Sequence, residues 1–161
     1  MARRIVILGS TGSIGRSTLE VVRRHAPAFD VVGLVAGRQV ERLAEQVREF
    51  QPSAVSVADE ASARELRRLL SGRVPEIRLG SQGAAEVAVG TGAEVVVAGI
   101  VGAAGLIPTL AAVSAGLVVA LANKEALVVA GELMVKAARD AGAPLLPVDS
   151  EHNAIHQCLR A

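Results

Sequence analysis

Short apolar runs alternate along this chain with stretches whose apolar positions recur every three or four residues. "RIVILG" reads as a strand and Ser13 to His25 as a helix; "DVVGLVA" reads as a second strand. The helix after it gathers Val40, Leu43, Val47 and Phe50 on one face. The beat repeats through "AVSVA", a strand, then Asp59 as N-cap of a helix in "EASARELRRLLSG". A short strand "EIRLG" and a short helix "SQGAAEVAV" follow. From Val95 to Asn123 no residue is charged, a pattern that a hydropathy window reads as a membrane span. Glycines 99, 102, 105 and 116 and Pro108 interrupt it, which a lipid-facing helix tolerates poorly. The better reading is two strands buried on both faces, "EVVVAG" and "GLVVAL", joined by a helix in "GLIPTLAAVSA". Glu125 to Ala141 reads as a helix and "PLLPVD" as a last strand.

Strand and helix alternating at this pace predict an α/β fold. Each parallel neighbour needs a right-handed crossover, so the expectation is a Rossmann-like, doubly wound, mostly parallel sheet with helices on both faces. The closing "HQCLRA" reads as the first turns of a further helix, and the chain is expected to be the start of a longer one.

Composition fits that picture and removes some alternatives. With 161 residues, 51% of them hydrophobic, the chain can bury a substantial core. Its 17 basic and 16 acidic residues are scattered to a net charge of +1, which points to neither nucleic acid nor a membrane surface as partner. The single cysteine, Cys158, excludes an intrachain disulfide, and glycine interrupts the opening apolar run too early for a signal peptide. Both observations suit the cytoplasm.

The loop "GSTGSIG" carries Gly9, Gly12 and Gly15 between the first strand and the first helix. There one glycine permits the tight turn and another lets the backbone approach a pyrophosphate, while the helix N-terminus supplies unpaired N–H groups. The second strand ends in "VAGRQV", with Arg38 where NAD-specific domains commonly carry a carboxylate. A guanidinium can fork onto a 2′-phosphate that a carboxylate would repel, so NADP(H) is expected over NAD(H). Two more polar clusters, "LANKEA" and "VDSEHNAIH", follow strands at their carboxyl ends, where such sheets bind ligands. Asn123 can donate to a cofactor and Lys124 can stabilise an oxygen gaining charge. In extended chain, Asp149 and Glu151 would project to one side and suit magnesium or manganese. His152 and His156 keep a mixed zinc site open, and "DSE" also reads simply as a helix cap.

Together, "GSTGSIG", "LANKE" and "PVDSEHNAI", in this order and at these intervals, resemble the 1-deoxy-D-xylulose 5-phosphate reductoisomerase family. That family makes 2-C-methyl-D-erythritol 4-phosphate in the non-mevalonate isoprenoid pathway. The resemblance runs along the whole chain but covers only the amino-terminal part of the family. It implies an NADPH-binding domain over residues 1–147 and, over 148–161, the start of a catalytic, metal-binding domain. Thr11, Gly12, Ser13 and Ile14 would contact the pyrophosphate, with Gly9 in the same cofactor set. Gly37, Arg38 and Gln39 would surround the 2′-phosphate, and Asn123 and Glu125 would meet the cofactor. Lys124, Ser150 and Glu151 would contact the sugar phosphate substrate, Lys124 and Glu151 as catalytic residues. Asp149 and Glu151 would bind Mn2+ or Mg2+, with a third carboxylate further along the family's chain. The family usually has Asn at the position of Gln39 and commonly Phe at that of His156. It also implies a homodimer. Two other readings share parts of this pattern: another NADP-dependent dehydrogenase, and a non-catalytic dinucleotide-binding module.

Overall fold

The computed structural model describes residues 1–122 and 124–159. Fourteen elements alternate: β1 (Arg3–Leu8), α1 (Ser13–Arg24), β2 (Phe29–Val35), α2 (Val40–Phe50), β3 (Ala54–Val57), α3 (Glu60–Leu69), β4 (Glu76–Leu79), α4 (Gly80–Gly90), β5 (Val95–Ala98), α5 (Leu106–Ser114), β6 (Val118–Leu121), α6 (Lys124–Ala141), β7 (Leu145–Pro147) and α7 (Ser150–Cys158). The strands form one seven-stranded sheet in the order β4-β3-β2-β1-β5-β6-β7, with every pairing parallel. The doubly wound expectation therefore holds. Among the described residues, no helix is long and apolar enough to cross a membrane.

Period-two alternation along β1 divides the core. Ile5 and Ile7 join Leu19, Val22, Leu43, Val47 and Leu66 of α1, α2 and α3 on one face. Val6 and Leu8 join Val87, Val113 and Met134 of α4, α5 and α6 on the other. Both faces of the central strands are buried, which is why they read as unbroken apolar runs. β2 carries one inserted residue: Ile5 pairs with Val31 but Val6 with Gly33. A side chain at Gly33 would stand 2.7 Å from Val87 Cγ1, so this glycine sets how closely α4 approaches the sheet. The edge strand β4 is protected by charge, with Arg78 paired to Glu76 at 2.5 Å and to Glu86 at 3.0 Å.

Two features depart from the periodicity. α6 begins at Lys124 and is broken at Ala130, whose φ of −142° and ψ of 31° are not helical. A short 3₁₀ turn, Ala103–Gly105, precedes α5. The sheet order reverses at β1: the chain winds outward through β2, β3 and β4, then returns to β5 on the other side of β1. The gap between the carboxyl ends of β1 and β5 is the place where such sheets bind ligands.

Candidate functional site

The loop between β1 and α1 occupies that gap and is held from both sides. The N–H groups of Gly9 and Ser10 both donate to the Val35 carbonyl at the end of β2, each at 2.9 Å, and Gly99 N–H donates to the Leu8 carbonyl at 2.9 Å. Gly9 has φ +83°, and a Cβ there would lie 2.8 Å from the Gly99 oxygen. At Gly15 a Cβ would lie 2.4 Å from both the Gly9 oxygen and Ser10 Cα. Close backbone approach requires glycine at both positions, and the left-handed backbone at Gly9 requires it a second time. Gly12 is the N-cap of α1, contributes no side-chain cap, and is followed by a first turn without acidic residues. The first amides of α1 therefore keep their donors for a ligand and stand at the positive end of the helix dipole.

A cleft of about 450 Å³ opens beside this loop. Gly9, Thr11 and Gly12 form one side and Gly37 another; none of the described lining residues is charged. A dinucleotide's uncharged portions suit such walls, leaving its phosphates to backbone donors and the rim. Sequence reasoning missed the opposite wall, built by Ser56, Ala58, Gly80, Ser81 and Gly99 to Val101 at the carboxyl ends of β3, β4 and β5. Strand position was the available signal, since each of these residues ends or follows a strand.

The other expected contacts are distributed around this cleft. Ser13 lines a separate groove with Arg16 and Glu20. Ile14 lies 3.3 Å from where a Gly99 Cβ would be, so it borders the switch point. Arg38 follows Gly37 out of β2, with its side chain 82% exposed and Nε 3.1 Å from Asp59 Oδ2. Asp59 is also the N-cap of α3, accepting from Ser62 N and Oγ. These Ser62 donors, then Arg38, hold the Asp59 carboxyl below the usual carboxylate range. Gln39 precedes α2 and accepts from Arg42 Nη1 at 3.3 Å; the same nitrogen lies 3.3 Å from the Thr11 carbonyl. Arg42 thus bridges the two loops that the sequence assigns to the pyrophosphate and the 2′-phosphate.

Asn123 and the side chain of Lys124 lie outside the described residues. Glu125 is exposed in the first turn of α6, after β6, and does not line the cleft. The extended geometry expected for Asp149 and Glu151 needs correction: α7 starts at Ser150, so Asp149 is its N-cap and Glu151 belongs to its first turn. The capping alternative describes this backbone, because Asp149 Oδ1 accepts from His152 N at 3.0 Å. Oδ2 lies 2.6 Å from His152 Nδ1. Ser150 and Glu151 are exposed, and His156 stands one turn beyond His152 without joining that contact. Among the described residues no three His, Cys, Asp or Glu side chains converge as a metal site, for zinc or for a harder ion. Asp149 and Glu151 have the right oxygen chemistry for magnesium but do not complete its coordination.

Comparison with known proteins gives a consistent result. The sequence profile described as 1-deoxy-D-xylulose 5-phosphate reductoisomerase matches residues 5–131. The enzyme of that name from Prosthecochloris aestuarii is 57% identical over 157 residues, covering 98% of this chain and 41% of the relative. The Chlorobium limicola enzyme is 56% identical with the same coverage. Among solved structures, that of the Zymomonas mobilis reductoisomerase in complex with NADPH superposes with a TM-score of 0.93 at 44% identity, over 98% of this chain and 41% of that one. A reductoisomerase structure with NADPH, fosmidomycin and magnesium gives 0.91 at 42% identity, over 97% and 38%. The chain spans about two fifths of the length of the curated relatives it matches. From the profile match and these identities, the chain belongs to the 1-deoxy-D-xylulose 5-phosphate reductoisomerase family.

Proposed function

We propose that this chain is the NADPH-binding part of a cytoplasmic enzyme that converts 1-deoxy-D-xylulose 5-phosphate to 2-C-methyl-D-erythritol 4-phosphate. Residues 1–147 form the cofactor domain, and 148–161 open the catalytic domain. The observation that carries this reading is the glycine loop at the β1/β5 switch point with Arg38 at the end of the neighbouring strand.

Each residue then has a physical task. The backbone of Thr11, Gly12, Ser13 and Ile14 donates to the pyrophosphate where the dipole of α1 favours negative charge. Gly9 makes the turn that brings this backbone close. Gly37, Arg38 and Gln39 enclose the 2′-phosphate. Arg38 presents Nη1 and Nη2, which have no partner among the described residues, while Asp59 holds the guanidinium by Nε. Asn123 and Glu125 orient the nicotinamide end. Lys124 and Ser150 bind the sugar phosphate, Lys124 placing a cation beside the oxygen that gains charge. Asp149 and Glu151 supply two hard oxygen ligands to Mg2+ or Mn2+, with Glu151 also beside the substrate. When bound, NADPH supplies the hydride that reduces the rearranged, branched aldehyde, and the divalent ion supplies Lewis acidity. The active protein is a homodimer.

Two carboxylates hold a divalent ion weakly, so the 161-residue chain binds cofactor without appreciable turnover. The test compares reductoisomerase activity of this chain with that of a protein of the relatives' full length carrying this sequence. Metal-dependent NADPH oxidation in the longer protein alone supports the reading. A longer protein that binds NADPH but never consumes the sugar phosphate contradicts it.

A further inference from the structure

Gln46 lies in the middle of α2 and does not itself line the cleft, yet is only 5% exposed. Its neighbours on that helix, Leu43 and Val47, are core residues, and a buried amide among them must satisfy its polar atoms. Both ends of the amide are used, and both by one residue of the glycine loop. Ser10 Oγ donates to Gln46 Oε1 at 2.7 Å, and Gln46 Nε2 donates to the Ser10 carbonyl at 2.9 Å. Ser10 is fully buried, and its own N–H is held by the Val35 carbonyl. The peptide leading into Thr11 and Gly12 is therefore fixed by a side chain from another helix.

We infer that Gln46 is a positioning residue for cofactor binding: its reciprocal pair with Ser10 holds the glycine loop in the shape that receives a pyrophosphate. This inference rests on the NADPH reading above. The geometry supports a role in binding beyond general stability, because the pair acts on the segment between Gly9 and Gly12. Gly9 has positive φ, and the first amides beyond Gly12 have no side-chain cap. A loop free to relax would present those amides at wrong angles, and the cofactor would have to supply the ordering. Gln46 touches nothing that distinguishes NADPH from NADH, so its loss affects both alike.

The experiment titrates the 161-residue chain with NADPH and NADH, followed by reduced-nicotinamide fluorescence, for the unaltered protein, Gln46→Leu and Ser10→Ala. Each variant is also melted, so that binding is compared where all are folded. Gln46→Leu removes both hydrogen bonds, and both dissociation constants are expected to rise about tenfold with their ratio preserved. Ser10→Ala removes one bond and is expected to raise both about threefold, even if Gln46→Leu does not fold. A lowered melting temperature with unchanged dissociation constants in the folded variants makes Gln46 purely structural and overturns the inference. Loss confined to NADPH also overturns it, by placing the effect at the 2′-phosphate. If the unaltered chain, shown by circular dichroism to be folded, binds neither cofactor, the NADPH reading itself fails and takes this inference with it.

Discussion

Replacing Gly15 by alanine adds one methyl group at a place with no room for it. The new Cβ would stand 2.4 Å from Gly9 O and Ser10 Cα and 2.6 Å from Ser10 C. All three are backbone atoms, so no rotamer change relieves the contact. To reach ordinary separation, the start of α1 must withdraw from the loop by about 1 Å. That motion disturbs Leu19 and Val22, through which α1 packs on the sheet. Overpacking of a tight site costs about 1–3 kcal/mol, and a purely backbone contact belongs at the upper end. At about 3 kcal/mol, a chain of this size loses roughly 6–12 °C in melting temperature. The same withdrawal moves the amides proposed to receive the pyrophosphate, so NADPH affinity is expected to fall as well. Gly90→Ala is the control: it ends α4, nothing lies within 4 Å of its Cβ, and the change is expected to stabilise by about 0.5 kcal/mol. Thermal melting by circular dichroism and NADPH titration read both effects. A Gly15→Ala protein that melts and binds like the unaltered chain would refute the close-packed loop.

Arg38→Ala should weaken NADPH binding roughly 10–100-fold while leaving NADH almost unaffected, because the proposed role of the guanidinium toward the cofactor is confined to the extra phosphate. Equal weakening of both cofactors would move Arg38 elsewhere. In the longer protein, Asp149→Asn should keep the α7 cap, as Asn also caps helices, and retain NADPH affinity while losing most metal-dependent activity. Asp149→Ala should in addition cost about 1 kcal/mol in stability; full activity in Asp149→Asn would remove this carboxylate from the metal site. Asp59, Glu20, Glu49 and Glu65 all have carboxyl groups held below their ordinary range, Asp59 mainly by Ser62 and the glutamates mainly by arginines. A lowered folded-state pKa stabilises fully above the unfolded value and is lost as pH falls through the folded one, so the melting temperature should hold near neutrality and fall below about pH 4. A melting temperature that rises on acidification would contradict those pairings.

The strands were legible because burial on both faces leaves their chemistry unmixed: "RIVILG" and "EVVVAG" admit few other readings. The uncharged stretch was legible for the same reason, once its glycines and Pro108 were weighed against its hydropathy. Gln46 was not. In a helix whose stripe is Val40, Leu43, Val47 and Phe50, a glutamine at that position looks like the border of a solvated face, and only its partner Ser10, 36 residues away, explains its burial. Arg38 was assigned from its place after a strand, whereas its ion pair with Asp59 depends on β2 and β3 being neighbours. The Asp149/Glu151 geometry went wrong at an element boundary. "PVDSE" carries a strand's end and a helix's cap within five residues, and the cap begins the helix one residue earlier than an extended pair requires.

The central claim is that the glycine loop and Arg38 form one site that prefers NADPH. Titrating the 161-residue chain with NADPH and, separately, NADH tests it most directly, since the sequence contains no Trp or Tyr to obscure the nicotinamide signal. Saturable binding of NADPH, with NADH at least tenfold weaker as expected for loss of the Arg38 contact, is the predicted result. NADH bound as tightly as NADPH by a folded chain would contradict it.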